Sequence, residues 1–388
     1  MVGLTTAASL RAALSASRTP ECSGFADEPD TAENANGAAG SAERYAAFSH
    51  WMITTDPATR TSRVPSTAAV SRGKQQTHAH PQPTVSIKDD SMKKVIFAEF
   101  GGPEVLQLLD AAEPHAGPGQ VRITVRAAGV NPVDWRVREG QILGAHPTEL
   151  PSGIGLDAAG MVDEVGDGVE GVEVGDHVFG EGSSTYAEFA VLSAWARMPE
   201  GLTFEEAAGY PSVVETALRV IREVGVRPAQ TLLVSGASGG VGSAVLQIAR
   251  ERGITVIGTA GAANQDYLRG LGALATTYGE GWVERVRGLG QVDAALDLAG
   301  SGVIRELIEL TGDPRKVVSI ADLGAPELGA RFSGVAGSVP EALAEAADLL
   351  SRSKLHIPVE KTYTLAEAAA AHIDSQAGHT RGRRVVVV

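Results

Sequence analysis

The chain has one cysteine, Cys22, among 388 residues. That excludes a disulfide framework within the chain and any cysteine-rich zinc site. Aromatic residues make up only 5%, so a core must be built mainly from the ample aliphatic side chains. No apolar run is long enough to span a membrane. Positive charge is also scarce: 33 Lys and Arg stand against 47 Asp and Glu, a net charge of −14. That balance disfavours nucleic acid and anionic membranes as partners. The length suffices for two domains and an extension.

Residues 1–91 lack periodic apolar pattern and are rich in Ala, Ser, Thr and Pro. Within them, 27–39 and 61–85 read as disordered. They hold 8 basic and 9 acidic residues, so the acidity belongs to the remainder. The first twenty, MVGLTTAASLRAALSASRTP, carry Arg11 and Arg18 and no acid before Glu21. That composition suits an organelle transit peptide but lacks the apolar centre of a secretory signal. The preferred alternative is a disordered extension, or upstream sequence ahead of a natural start at Met92. It implies a cytoplasmic protein; a transit peptide implies an organelle matrix.

What is present is organised around residues 231–252, TLLVSGASGGVGSAVLQIARER. An apolar run short enough for a buried parallel strand leads into Gly236, Gly239, Gly240 and Gly242. A helical pattern follows, with Val241, Val245, Ile248 and Ala249 on one face. Strand, glycine turn and helix together form a dinucleotide-binding context. Glycine lets a diphosphate approach the backbone, and the helix start offers unpaired N–H groups and a positive dipole end.

Short strands separated by glycine turns before this stretch (94–100, 120–127, 155–165, 177–180, 187–192) predict an antiparallel, barrel-like domain. Thr203 and Glu206 form a capping box for a helix over 203–208, and a second helix covers 214–224. Beyond 252, strands (255–259, 274–277, 293–298, 316–320) alternate with helices (265–271, 282–287, 302–310), which predicts an α/β parallel sheet covered on both faces. Helices over 339–351 and 365–371 and a strand over 384–388 close the chain.

From residue 92 onward the chain resembles the quinone oxidoreductase branch of the medium-chain dehydrogenase/reductase superfamily. The motifs that carry this are GGPEVLQL (101–108), AAGVNPVDWRVREG (127–140), LPSGIGLDAAGMVDEVGDGV (150–169), VGDHVFG (174–180), YAEFA (186–190), GASGGVG (236–242), LGA (271–273), LAEAAAAH (365–372) and GRRVVVV (382–388). The resemblance implies a GroES-like β-barrel catalytic domain over 92–215, completed by 350–388. It places a Rossmann doubly wound parallel sheet over 216–349, an active site in the cleft between them, and a homodimer. Residues 1–91 fall outside it.

The strand after the glycine turn ends Gly258-Thr259-Ala260-Gly261, without the carboxylate that NAD-preferring enzymes place there for the ribose hydroxyls. NADPH is therefore the expected cofactor. Gly236, Ser238, Gly239, Gly240, Val241 and Gly242 form the expected cradle, with Thr259 and Asn264 as hydrogen-bond donors. By resemblance, Thr216 and Ser319 approach the cofactor and Tyr278 flanks its adenosine end. Arg383 either stands near the 2′-phosphate or is a solvated surface charge.

Zinc-dependent relatives carry a Cys and a His where this chain has Asn131 and Leu156. His115, His146 and His177 have no ligand spacing, so no metal is expected. Without a Lewis acid the acceptor must already be electron-poor, which a quinone or an α,β-unsaturated carbonyl is. Asn131 is the first candidate donor to the developing oxyanion, or else an amide satisfying the turn before Pro132. Asp134 resembles a loop-holding position. Arg136 stands where several relatives have Tyr, and it either binds an anionic group or faces solvent. Tyr186 falls in a segment that approaches the cofactor, or packs. The competing readings are a 2-enoyl-thioester reductase and a non-catalytic, crystallin-like NADPH-binding protein.

Overall fold

The structure, a computed structural model, describes residues 91–141, 148–334 and 336–388. The expectations for residues 1–90 and the position of His146 lie outside that range. Before the glycine turn come β1 (Ser91–Phe97), β2 (Gln107–Ala112), β3 (Val121–Gly129), β4 (Ser152–Gly153), β5 (Asp157–Val165), β6 (His177–Gly182) and β7 (Phe189–Arg197). In β3, Val121, Ile123 and Val125 are buried while Arg122 and Thr124 are partly exposed, the period-two pattern of a half-buried strand. β3 pairs antiparallel with both β5 and β7, and β6 joins β5 to β7, so this sheet closes on itself. Closure removes the unpaired strand edges that invite association. β1, β2 and β4 form a smaller sheet in the order β2-β1-β4.

The second half is a six-stranded sheet of β8 (Thr231–Ser235), β9 (Thr255–Ala260), β10 (Leu274–Thr277), β11 (Ala294–Asp297), β12 (Val317–Ser319) and β13 (Arg331–Phe332). All its pairings are parallel. Its order, β10-β9-β8-β11-β12-β13, reverses direction at β8. That reversal opens a crevice at the carboxyl ends of β8 and β11, where the glycine turn begins. Both faces of β8 are covered. Leu232 and Val234 pack with Val213, Val245 and Ile248, and Leu233 packs with Ile257, Val286 and Leu307. A strand covered on both sides has no reason to alternate, so it reads as one apolar run.

The tail returns to the barrel as β14 (Val359–Thr364) and β15 (Arg383–Val387). β15 pairs antiparallel with β3 and parallel with β14. A bridge between Gly239 and Gly382 ties the start of β15 to the glycine turn. The sequence pattern predicts neither β14 nor the helix Pro132–Arg138. β14 (VEKTYT) is an edge strand with Glu360, Lys361 and Thr362 exposed, so it carries no apolar alternation. The helix expected over 214–224 starts earlier, at Pro211, whose fixed φ suits a first turn. The helix expected over 365–371 is a 3-10 turn, Leu365–Glu367, continued by Ala368–Ala377. Among the described residues no helix is long and apolar enough to cross a membrane.

Leu233 is fully buried between β8 and the helices on one face of the sheet. Leu233→Ala is expected to cost about 2–5 kcal/mol in denaturant unfolding, and a loss below 1 kcal/mol would mean the cavity collapses.

Candidate active site

β8 delivers the chain to Gly236, whose φ of 81° lies in the left-handed region that favours glycine. Gly239 then caps the helix Gly240–Glu251 without any side-chain hydrogen bond. The helical ladder starts when Ser243 N–H donates to Gly239 O at 2.8 Å. The N–H groups of Gly240, Val241 and Gly242 precede it, as the open end of a helix requires. A Cβ on Gly242 would come within 2.4 Å of Gly236 O, and one on Gly240 within 2.8 Å of Arg383 Cδ. Gly240 and Gly242 therefore have no room for a side chain, and a guanidinium stands at the rim of the turn. Arg383 Nε is buried and has no hydrogen-bond partner. Bare backbone, a helix start and an unspent guanidinium donor fit a dinucleotide diphosphate.

The sequence leaves Arg383 near a 2′-phosphate or in solvent, and its burial removes the solvent reading. Its side chain is 6% exposed, and Nη2 donates to Asn131 Oδ1 at 2.9 Å and lies 3.5 Å from Asp157 Oδ2. An exposed cation, Arg381, is docked on the segment after β9. It donates to Asn264 Oδ1 (2.8 Å) and Ala263 O (2.9 Å) and lies over the Tyr267 ring.

Asn131 opens the helix Pro132–Arg138, and Asp134 reaches back to accept from its backbone N–H at 2.8 Å. Its Nδ2 donates to Asp157 Oδ2 at 2.9 Å. With Oδ1 held by Arg383 and Nδ2 by Asp157, the amide has one orientation, and one N–H of its two remains to be given. Asp157, at the start of β5, is fully buried and also accepts from Ser212 N (3.1 Å) and Ser212 Oγ (2.5 Å). Burial raises its carboxyl pKa, and Arg383, Ser212 and Asn131 pull it back down. Ser212 Oγ also lies 3.2 Å from Glu181 Oε1, and burial beside Asp157 and Glu215 pushes Glu181 up to about 8. Glu215 is buried and held by Arg219 (2.9 Å) and the Gly337 N–H (2.6 Å).

Of the other expected catalytic residues, Tyr186 joins this group through Asp134, and Arg136 makes no hydrogen bond to it among the described residues. Tyr186 is fully buried, packs edge-on against His372, and its hydroxyl donates to Asp134 at 3.1 Å. It holds Asp134, which in turn holds Asn131. Arg136 is partly buried with its guanidinium over the Trp135 ring, and burial lowers its pKa.

Of the expected cofactor residues, Ser238 Oγ accepts from Asn264 Nδ2 at 3.3 Å, which links the glycine turn to the loop after β9. Thr259 is buried at the end of β9. Tyr278 is exposed beside Gly261. Thr216 lies on the helix Pro211–Val224, bonded to Glu215 and Arg219. Ser319 is fully buried, and its hydroxyl is engaged by Asp297, Ala321 N and Asp322 N, so it shapes a turn. Sequence reasoning misses Asp157, Ser212, Glu181 and Arg381. Only Arg381 has a local signal, its place in the basic run Arg381-Gly382-Arg383-Arg384.

Comparison with known proteins agrees with this architecture. The family model "Alcohol dehydrogenase GroES-like domain" matches residues 117–208, and "Zinc-binding dehydrogenase" matches 271–386. A quinone oxidoreductase of Pseudomonas aeruginosa is 31% identical over 327 residues, covering 76% of this chain and 99% of that one. The quinone oxidoreductase of Rattus norvegicus is 42% identical over 176 residues, 44% of this chain and only 53% of its own length. A mycobacterial protein solved in complex with NADPH superposes with a TM-score of 0.67 at 29% identity, covering 77% of this chain and 100% of that one. A GroES-like barrel joined to a Rossmann-like parallel sheet is the architecture of the medium-chain dehydrogenases/reductases. Within that superfamily, the chain belongs to the quinone oxidoreductase branch.

The second model's description names zinc, and the residues at this site do not fit it. Asn131 and Leu156 stand at the expected ligand positions, and the buried carboxylate beside them already faces a guanidinium. Among the described residues no group of three or more His, Cys, Asp and Glu is placed to hold a metal ion.

Burial lifts the Asp134 carboxyl from 3.8 to about 7. A carboxyl that binds its proton more tightly when folded costs stability as pH rises between those two values, and nothing further above them. Asp134→Asn keeps the acceptor for Asn131 N–H and removes the ionisation. The stability–pH curve of the variant should be flatter than wild type between about pH 4 and 7; parallel curves would rule out the burial-driven shift.

Proposed function

We propose that the protein is an NADPH-dependent oxidoreductase that reduces a quinone or an α,β-unsaturated carbonyl without a metal. The observation that carries this is the Arg383 side chain, which borders the Gly240 turn at one side and fixes the Asn131 amide at the other. A diphosphate-type cradle and a single oriented N–H donor are thereby one unit. When bound, reduced nicotinamide supplies a hydride. The chain's part is to orient the acceptor and to offer the free Asn131 N–H to the oxygen on which charge develops. The preference for NADPH rests on the loop after β9, which has no carboxylate at Gly258-Thr259-Ala260-Gly261 and has the Arg381 guanidinium docked on it. The relatives named quinone oxidoreductase and the mycobacterial NADPH complex support the same reading.

The test is NADPH oxidation by the purified chain against a panel of quinones, enones and enoyl thioesters. Turnover with the first two groups is expected, and none with any acceptor overturns the proposal. Arg381→Ala should weaken NADPH about tenfold, the loss of one charge-assisted contact, and leave NADH unchanged. Equal losses for both cofactors would remove Arg381 from the 2′-phosphate site. Asn131→Ala should lower kcat more than NADPH affinity, by about 10²-fold, and unchanged turnover would refute its donor role.

A further inference from the structure

Asp157 and Glu181 are cross-strand neighbours on β5 and β6, and Ser212 reaches both from the start of the helix Pro211–Val224. Its Oγ lies 2.5 Å from Asp157 Oδ1 and 3.2 Å from Glu181 Oε1. A hydroxyl has one proton to give and lone pairs to accept with. Asp157 already collects the Ser212 N–H, the Asn131 amide and the Arg383 guanidinium. Those partners suit a carboxylate, so the serine proton goes there. The surroundings of Glu181 are of the opposite kind. It faces Asp157 from β5 and Glu215 from the helix, with Arg383 beyond Asp157. The nearer cation, Arg219, is engaged by Glu215 and Ser333. On its β7 side it pairs with Ala194. Two carboxylates on one hydroxyl cannot both accept, so the hydrogen between Glu181 and Ser212 belongs to Glu181. The upward shift of Glu181 to about 8 agrees with that count.

We propose that Glu181 is the proton reservoir of the reaction and the Ser212 hydroxyl its relay. This rests on the reading of the site as reducing an α,β-unsaturated carbonyl. Thr216, one helical turn beyond Ser212 on the same face, is among the positions expected beside the cofactor. Hydride arriving at the β-carbon drives the C=C electron pair towards oxygen and leaves an enolate one proton short. As the Ser212 hydroxyl turns from Asp157 to the substrate, its Oγ–H bond breaks towards the enolate α-carbon and the Glu181 Oε–H bond breaks towards Ser212 Oγ. Serine ends unchanged, Glu181 ends as a carboxylate, and the saturated carbonyl leaves neutral. Glu181 is only partly buried, so water returns its proton. Asp157 beside Glu181 favours the protonated form of Glu181 and so helps to keep the reservoir filled.

The experiment uses the full chain with NADPH and 2-cyclohexenone. In the wild type, kcat should fall as pH rises through about 8. Glu181→Gln keeps the shape and a donor to Ser212, and it should lower kcat about 10²-fold and abolish that limb. Glu181→Asp should restore part of the rate and the limb. NADPH affinity, read by fluorescence, reports whether each variant is folded. Difference infrared spectra of the cofactor-free protein should show a protonated carboxyl that titrates near pH 8 in the wild type and is missing in Glu181→Gln. An unchanged rate and limb in the glutamine variant, or an ionised Glu181 at neutral pH, overturns the proposal. A wild type that oxidises NADPH with no enone overturns the functional reading instead, and the infrared arm still decides where the proton sits.

Discussion

A carboxylate and a guanidinium, both removed from water, set the rest of the site. Asp157 is fully buried, and Arg383 faces it at 3.5 Å with 6% of its side chain exposed. Burial raises the Asp157 pKa and lowers that of Arg383, while the charge of each partner on the other, and the hydrogen bonds that Asp157 accepts, oppose those shifts. Such pairs contribute little to stability compared with apolar packing of the same volume. What this one does is geometric. It links the start of β15, which pairs with β3, to Asp157 at the start of β5, with the Arg383 side chain beside the glycine turn of the parallel sheet. It also leaves the Asn131 amide one orientation out of two.

Support for Asn131 extends outward in layers. Asp134 holds its backbone N–H, and Tyr186 donates to Asp134. His372 packs on Tyr186 and is bonded to the buried Arg138, whose guanidinium also reaches Gly101 O. Burial and the Arg138 charge lower His372 to about 3, so it stays a neutral acceptor for Arg138. This chain joins the tail helix Ala368–Ala377 to the helix Pro132–Arg138 that opens on Asn131. A side chain placed this way loses little freedom when it donates to a charge that develops only during reaction.

How much of this was legible in the sequence follows from how far apart the partners lie. The glycine cradle is a local object: β8, Gly236 to Gly242 and the helix are contiguous, and spacing alone predicts them. The buried network is not. Arg383 and Asn131 are 252 positions apart, Ser212 and Asp157 are 55, and Glu181 reaches Ser212 across 31. No periodicity connects them; only the closure of the barrel and the return of β15 do. The same distance explains why Arg383 reads as a surface or phosphate-binding charge: it lies in a basic run, and nothing local shows that β15 opens with this residue buried. Tyr186 and Ser319 carry motif signals, and in the structure their polar atoms have protein partners that the motifs do not announce.

On the proposed reading, the two roles of the buried guanidinium are coupled. Arg383 Nε has no partner, while Nη2 is shared between Asn131 and Asp157. A dinucleotide diphosphate seated against Gly240 offers Nε an anionic acceptor, and a cation divided between two anions stabilises each less than it would one. Asp157 then holds its negative charge less easily, and the proton it shares through Ser212 with Glu181 is bound more tightly by the pair as a whole. By linkage, the reverse holds as well: a protonated Asp157–Glu181 pair binds an anionic cofactor better than a doubly ionised one. On that reading, cofactor affinity and proton content in this site are set by one shared charge.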